Sequence, residues 1–218
     1  ARRGVIDIRK GRHPLLDPKT AIPVSVALGK DYRILLVSGP NTGGKTVTLK
    51  MCGLFCLMAA CGIFIPAAEE SEVTVFSRVF CDIGDAQSIE ENLSTFSSHI
   101  KNVIEIVEGA NAASLVLIDE LGGGTDPDEG QAIAKAVLTR LLKAGCRGIV
   151  TTHYTSLKEF AYAESGIENA SMEFDMNTLQ PLYRVSIGVP GSSNAIAISR
   201  RLGLPEDILN DAVSFLSE

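Results

Sequence analysis

ILLVSGPNTGGKTVTLK, residues 34–50, decides the fold. The apolar run from Ile34 to Ser38 reads as a buried strand, and a helical pattern runs from Lys45 to about Cys61. Between them GPNTGGKT, residues 39–46, matches GxxxxGKT with a strand before it and a helix after it, as the motif's physics requires. Gly39, Gly43 and Gly44 let backbone N–H groups converge on phosphate oxygens, and the helix N terminus adds its partial positive charge. Pro40, Asn41 and Thr42 complete the cradle. Lys45 is spaced to reach the outer phosphates and the Thr46 hydroxyl to ligate magnesium, so the implied ligands are ATP and Mg2+.

Further along the chain the strand and helix patterns repeat. Strands are expected at Arg78 to Ile83, Leu115 to Ile118 and Gly148 to Thr151, with helices from about Thr95 to Val107, Glu129 to Leu142 and Ser156 to Phe160. This alternation predicts an α/β fold with a mostly parallel sheet covered by helices on both faces. SLVLIDE, residues 114–120, then delivers two carboxylates beside the phosphate loop. Asp119 is placed to hold magnesium, and Glu120 to orient and polarise the attacking water, since phosphoryl transfer needs mainly positioning and charge stabilisation. THY, residues 152–154, puts His153 at the same edge of the sheet, as a γ-phosphate sensor or a structural histidine. Gln87, in GDAQSIEEN, either contacts magnesium or water or is solvated.

Composition sets limits on partners. With 45% hydrophobic and 21% charged residues, the 218-residue chain has an ordinary globular profile. A net charge of −6 argues against a broad phosphate-neutralising surface, and the basic group Arg2, Arg3, Arg9, Lys10 and Arg12 reads as a solvated face. Five cysteines without a CxxC pair or metal-ligand spacing read as buried reduced thiols, which fits a cytoplasmic location. The uncharged stretch 51–68 is not expected to cross a membrane, because Gly53, Gly62 and Pro66 interrupt it and the phosphate loop immediately precedes it. No signal peptide is visible.

After Gly166 the pattern changes. IENASMEFD and PLYRVSI, joined by MNTLQ, predict an antiparallel hairpin, and two helices follow at about Ser193 to Arg201 and Pro205 to Leu216. Gly203 is expected to close the first and Pro205 to sit in the first turn of the second. The final helical pattern ends without a C-cap, which leads us to expect a longer parent protein.

GPNTGGKT, LSTFSSH, LVLIDELGGGTDP and THY, in that order, resemble the ATPase domain of the MutS family, a branch of the ABC-type P-loop NTPases. FCDIGDAQSIEENLSTFSSH and VPGSSNAIAISRRLGLP are most similar to the second bacterial MutS paralogue, associated with suppressing recombination and in some bacteria with rescuing stalled ribosomes. The resemblance spans nearly the whole chain and implies one ATPase domain, residues 1–218, with 193–218 as a helix-turn-helix-like dimerisation element. It implies a homodimer formed through the signature motif and C-terminal helices, with Ser94 reaching the γ-phosphate held by the opposite protomer. GGGTDPDEG, residues 122–130, looks like a loop crossing that interface, with Asp126 capping or communicating. DNA would be gripped by other segments of the parent, with the ribosome as a further partner and no membrane partner. A C-terminal nuclease-like module found in relatives is absent from this sequence.

Two features around the base depart from the pattern. Val24 and Ser25 follow Pro23 where the paralogue has Asn-Asp, and Tyr183 stands where mismatch-repair relatives have histidine. The resemblance implies that Ile22 and Tyr183 sandwich adenine, although Tyr183 also fits a core aromatic on a hairpin strand. Two other readings of the chain stay open: a nucleotide-dependent binding switch with incidental hydrolysis, and a transporter ATPase, which the missing LSGGQ disfavours.

Overall fold

The computed structural model describes residues 4–40, 43–84, 94–175, 178, 180–191 and 194–216, without the side chains of residues 94 and 95. The chain order is β1 (Ile6–Gly11), β2 (Val24–Leu28), β3 (Ile34–Ser38), α1 (Lys45–Ala60), β4 (Glu72–Val73), β5 (Arg78–Asp82), α2 (Ser94–Gly109), β6 (Ser114–Ile118), α3 (Pro127–Ala144) and β7 (Arg147–Thr151). It continues through α4 (Thr155–Ala163), β8 (Ile167–Asp175), β9 (Gln180–Ile187), α5 (Ala195–Arg201) and α6 (Glu206–Phe215). Six strands form one sheet in the order β5-β6-β7-β3-β8-β9, parallel throughout except for the β8–β9 pair. The fold is α/β with a mostly parallel sheet, as the alternation predicts.

Successive residues of a strand face opposite sides, and the central strands show this directly. Leu35, Val37, Leu115, Leu117 and Ile149 pack with α1, β1 and β2 on one face. Ile34, Leu36, Val116, Ile118 and Val150 pack with α2, α3 and α4 on the other. Both faces are dry, so these strands are apolar at nearly every position. Removing one such side chain, Leu117→Ala for example, would cost about 2–5 kcal/mol. Gly53 lets α1 lie close: a Cβ there would meet Leu117 Cδ1 at 2.6 Å.

The structure revises four expectations. First, β8 is not only a hairpin strand; it also pairs in parallel with β3, and its buried Asn169, Ala170 and Ser171 gave it the look of a half-polar strand. Second, residues 6–11, 24–28 and 72–73 build an antiparallel sheet in the order β2-β1-β4. There Ile6 and Ile8 point into the core while Asp7 and Arg9 face outward, so the alternation marked a strand inside the basic group. Third, α3 starts earlier, because the Asp126 carboxylate accepts from the N–H groups of Asp128 and Glu129 and Pro127 occupies the first turn. Fourth, Cys61 and Cys81 are exposed; only Cys52, Cys56 and Cys146 are buried. Burial pushes the Cys56 thiol up to about 12 and Cys146 to about 11, which suppresses thiolate chemistry there.

Among the described residues no helix is long and apolar enough to cross a membrane. Much of stretch 51–68 lies in α1, where Met51, Cys52, Phe55 and Cys56 are buried under the sheet. The C-terminal helices differ in character: α5 buries no residue and α6 buries only Leu209. Leu202, Phe215 and Leu216 are each more than 70% exposed, at 75%, 72% and 77%. Gly203, at φ 94°, donates to the Arg200 carbonyl and closes α5 as expected, whereas Pro205 stands at the N-cap of α6 rather than inside its first turn.

Candidate nucleotide site

The parallel strands end on one edge of the sheet, and β3, between β7 and β8, carries the glycine loop at its end. Gly39 at φ 127° and Gly44 at φ 91° make the bends that a side chain would oppose, and the Gly43 N–H donates to the Pro40 carbonyl at 3.0 Å. Asn41 and Thr42 lie outside the described residues. Lys45 is 1% exposed, and its Nζ donates to the Gly39 carbonyl at 2.6 Å. Burial lowers its pKa from the ordinary lysine value. The carboxylates of Glu120 and Asp119 oppose that shift, and the cation of Lys158 adds to it.

Two oxygens that the sequence assigns to magnesium meet here. Thr46 Oγ1 donates to Asp119 Oδ2 at 2.5 Å, although the residues are 73 apart in sequence. The other Asp119 oxygen accepts from Thr151 Oγ1 at 2.5 Å, and that hydroxyl accepts from the Glu120 N–H at 2.8 Å. One hydroxyl at the end of β7 thus orients both acidic residues. Among the described residues no group of three His, Cys, Asp or Glu could hold a metal. A single carboxylate with a hydroxyl fits magnesium, which takes few protein ligands and keeps phosphate oxygens and water.

Glu120 is exposed and has φ 54°, a left-handed conformation that costs about 1–3 kcal/mol for a residue with a side chain. It lies just beyond the tip of β6. His153 is exposed just past β7, at the same edge, with its ring centroid 4.3 Å from that of Tyr154. The Tyr154 hydroxyl donates to the Gly122 carbonyl at 3.2 Å, tying the turn at His153 to the loop after Glu120. Desolvation, then Asp126 and Glu120, raise the Tyr154 pKa.

Ile22, Tyr183 and Gly44 line one cavity of about 310 Å³, together with Leu16, Val47 and Met51. Half-buried Tyr183 packs against the core and also borders the phosphate loop: a Cβ on Gly44 would meet its ring at 2.7 Å, and its backbone adopts φ 52°. Val24 lines the same cavity, while Ser25 Oγ accepts from the Lys10 N–H at 3.0 Å. Ser94 is the first residue of α2, and Gln87 lies outside the described residues.

Sequence reasoning missed three participants. Thr151 carried a signal, a hydroxyl closing an apolar strand just before THY. Lys158 and Ser38 carried none. Lys158 Nζ donates to the Gly191 carbonyl at 2.5 Å, and the Gly191 N–H donates to Ser38 Oγ at 2.7 Å. The chain leading to α5 is thereby fastened to the residue just before the phosphate loop.

Residues 35–218 match the family described as MutS domain V. The chain belongs to the MutS family. MutS domain V is of the P-loop NTPase type, in agreement with the loop between β3 and α1. A protein called Endonuclease MutS2 from Caldanaerobacter subterraneus is 55% identical over 214 residues, covering 98% of this chain and 27% of that protein. Proteins of the same name from Ruminiclostridium cellulolyticum and Thermomicrobium roseum are 54% identical over 215 residues and 56% identical over 211, covering 99% and 97% of this chain and 27% of each relative. The resemblance to the second bacterial paralogue therefore holds across nearly the whole chain, which spans 27% of the length of these relatives.

Proposed function

We propose that this MutS domain V binds and hydrolyses ATP with magnesium, in the ABC manner, through sites shared by two copies of the chain. The observation that carries this reading is the meeting of Thr46 and Asp119 at the mouth of α1, above the buried Lys45. Gly39 to Thr46 cradle the phosphates, and Ile22 and Tyr183 flank adenine. Magnesium, held by Thr46 and Asp119, would neutralise charge developing on the phosphate oxygens. Glu120 orients the attacking water, and His153 and Gln87 contact the γ-phosphate end.

Ser94 of the second copy completes the site, because α2 packs on β5, an edge strand separated from β3 by β6 and β7, and a helix N terminus is a natural anion site. Residues 193–218 pair the copies, a role that suits the exposed Leu202, Phe215 and Leu216. In the parent, a cytoplasmic protein, the nucleotide cycle controls a clamp on DNA, in recombination suppression or repair, or on the ribosome. The nuclease in the relatives' name belongs to a separate module of such a parent.

Steady-state ATP turnover with and without magnesium tests the enzyme reading: the chain should release phosphate only with the metal, and Glu120→Gln should lower turnover by about 100-fold or more without weakening ATP binding. Equal turnover in Glu120→Gln would remove Glu120 from the water-positioning role. Slow turnover that neither DNA nor ribosomes stimulate would favour a binding switch.

A further inference from the structure

Asp82, the last residue of β5, is 3% exposed and has no part in the site as assigned above. Its carboxylate accepts from His99 Nδ1 at 2.9 Å on one oxygen and from Asn102 Nδ2 at 2.8 Å on the other. Both donors lie on one face of α2, one turn apart. Its backbone carbonyl accepts from the Asp119 N–H at 2.9 Å, and the parallel register sets Asp82 against Ile118. One residue thus holds the magnesium carboxylate's peptide by its main chain and α2 by its side chain.

From this geometry we infer that Asp82 is a positioning residue for the site of a second copy: it fixes the height and rotation of α2, and with them Ser94. The inference rests on the shared-site reading above. A buried carboxylate is a poor way to gain stability, since an apolar residue of similar size fills the space without desolvating a charge. What it supplies is geometry. A slip of α2 by one residue, about 1.5 Å along its axis and a rotation of about 100°, breaks both side-chain bonds at once. His99 lies just over one turn after Ser94, so the clamp acts close to the helix start.

Among the described residues, burial of side chains does little to fix that start. Of the described side chains of α2 only Val103 and Ile106 are buried, and both follow the clamp. A cavity lined by Asp82, Phe96, His99, Glu120 and Gly122 separates the first turn of α2 from the loop after Glu120. Gly124 faces Phe96 across it, where an added Cβ would stand 3.7 Å from the Phe96 Cβ. Without Asp82 the N-terminal half of α2 would lose these hydrogen bonds to the tip of the sheet.

The test uses the full-length protein and mixes variants. Asp82→Asn should keep its ATP affinity, read with a fluorescent ATP analogue, within about twofold of the unsubstituted protein, and lose about tenfold or more in kcat. His99→Ala, on the more accessible side of the same clamp, should behave alike and carries the test if Asp82→Asn does not fold. Mixed with Lys45→Ala, whose α2 is intact but whose own site is disabled, either variant should recover turnover well above the sum of the two alone.

Ser94→Ala mixed with Lys45→Ala is the control. If the control recovers turnover and neither clamp variant does, or if kcat is unchanged in both, Asp82 does not act across the interface. If the control itself fails, the shared-site reading falls and this inference falls with it.

Discussion

Helices α1 and α2 are both 16 residues long, and each begins at a turn read as anion-binding, yet they are built in opposite ways. In α1 the buried residues run from Lys45 to Cys56, so the phosphate end is the part most deeply set into the protein. In α2 burial comes late, at Val103 and Ile106, while Ser97 and Ser98 of the first turns are exposed. The first turn of α1 is finished within its own chain by Asp119, Gly39 and Gly44. That of α2 is followed one turn later by the hydrogen bonds of His99 and Asn102 to Asp82. On the proposed shared-site reading, the helix start anchored in the core serves its own chain's site and the start of α2 serves a neighbour's.

The largest effect should come from Lys45→Ala, which removes the one cation at the buried start of α1. Turnover should fall by about 100- to 1000-fold and ATP affinity with it. If Lys45→Ala bound and hydrolysed ATP normally, the contrast between the two helices would lose its chemical meaning. Next comes Phe215→Ser. Phe215 is 72% exposed, so stability should change by less than about 0.5 kcal/mol, whereas ATP-driven pairing should weaken about tenfold by sedimentation. Unchanged pairing would show that α6 does not help bring α2 to its partner.

Lys45 also gives α1 a pH signature. Its pKa is lowered by burial, with Lys158 adding to the shift and Glu120 and Asp119 opposing it. Between that lowered value and the ordinary 10.5, the unfolded chain holds more protons than the folded one, so stability rises with pH across the window. Phosphate binding needs the charged amine, so ATP affinity should fall across the same window. Nucleotide titrations at increasing alkaline pH check this; an affinity that stays flat up to 10.5 would contradict it. The smallest effect belongs to Asp126→Ala, which removes the cap of α3 and should cost about 1 kcal/mol, seen as a thermal midpoint lower by about 2–4 °C.

The parallel sheet was legible because its strands are apolar on both faces, and the phosphate loop because its glycines and lysine have fixed spacing. The small sheet was not, because the basic residues around Ile6 and Ile8 drew attention to charge rather than to alternation. The double role of β8 was hidden by Asn169 and Ser171, polar residues buried against helices and neighbouring strands. At the site, Thr46, Asp119 and Lys45 could be named from their motifs. Asp82 and Lys158 could not, because each acts through a partner at least 17 residues away that only the fold brings near, whereas Thr151 was passed over although it closes an apolar strand just before THY.

The most direct measurement is the solution mass of the Glu120→Gln chain, with and without ATP and magnesium, over a range of protein concentrations. The account predicts a monomer without nucleotide and a dimer with ATP and magnesium, lost again when Ser94→Ala is added. A chain that binds ATP yet stays monomeric at every concentration would contradict sites shared between two copies of this domain.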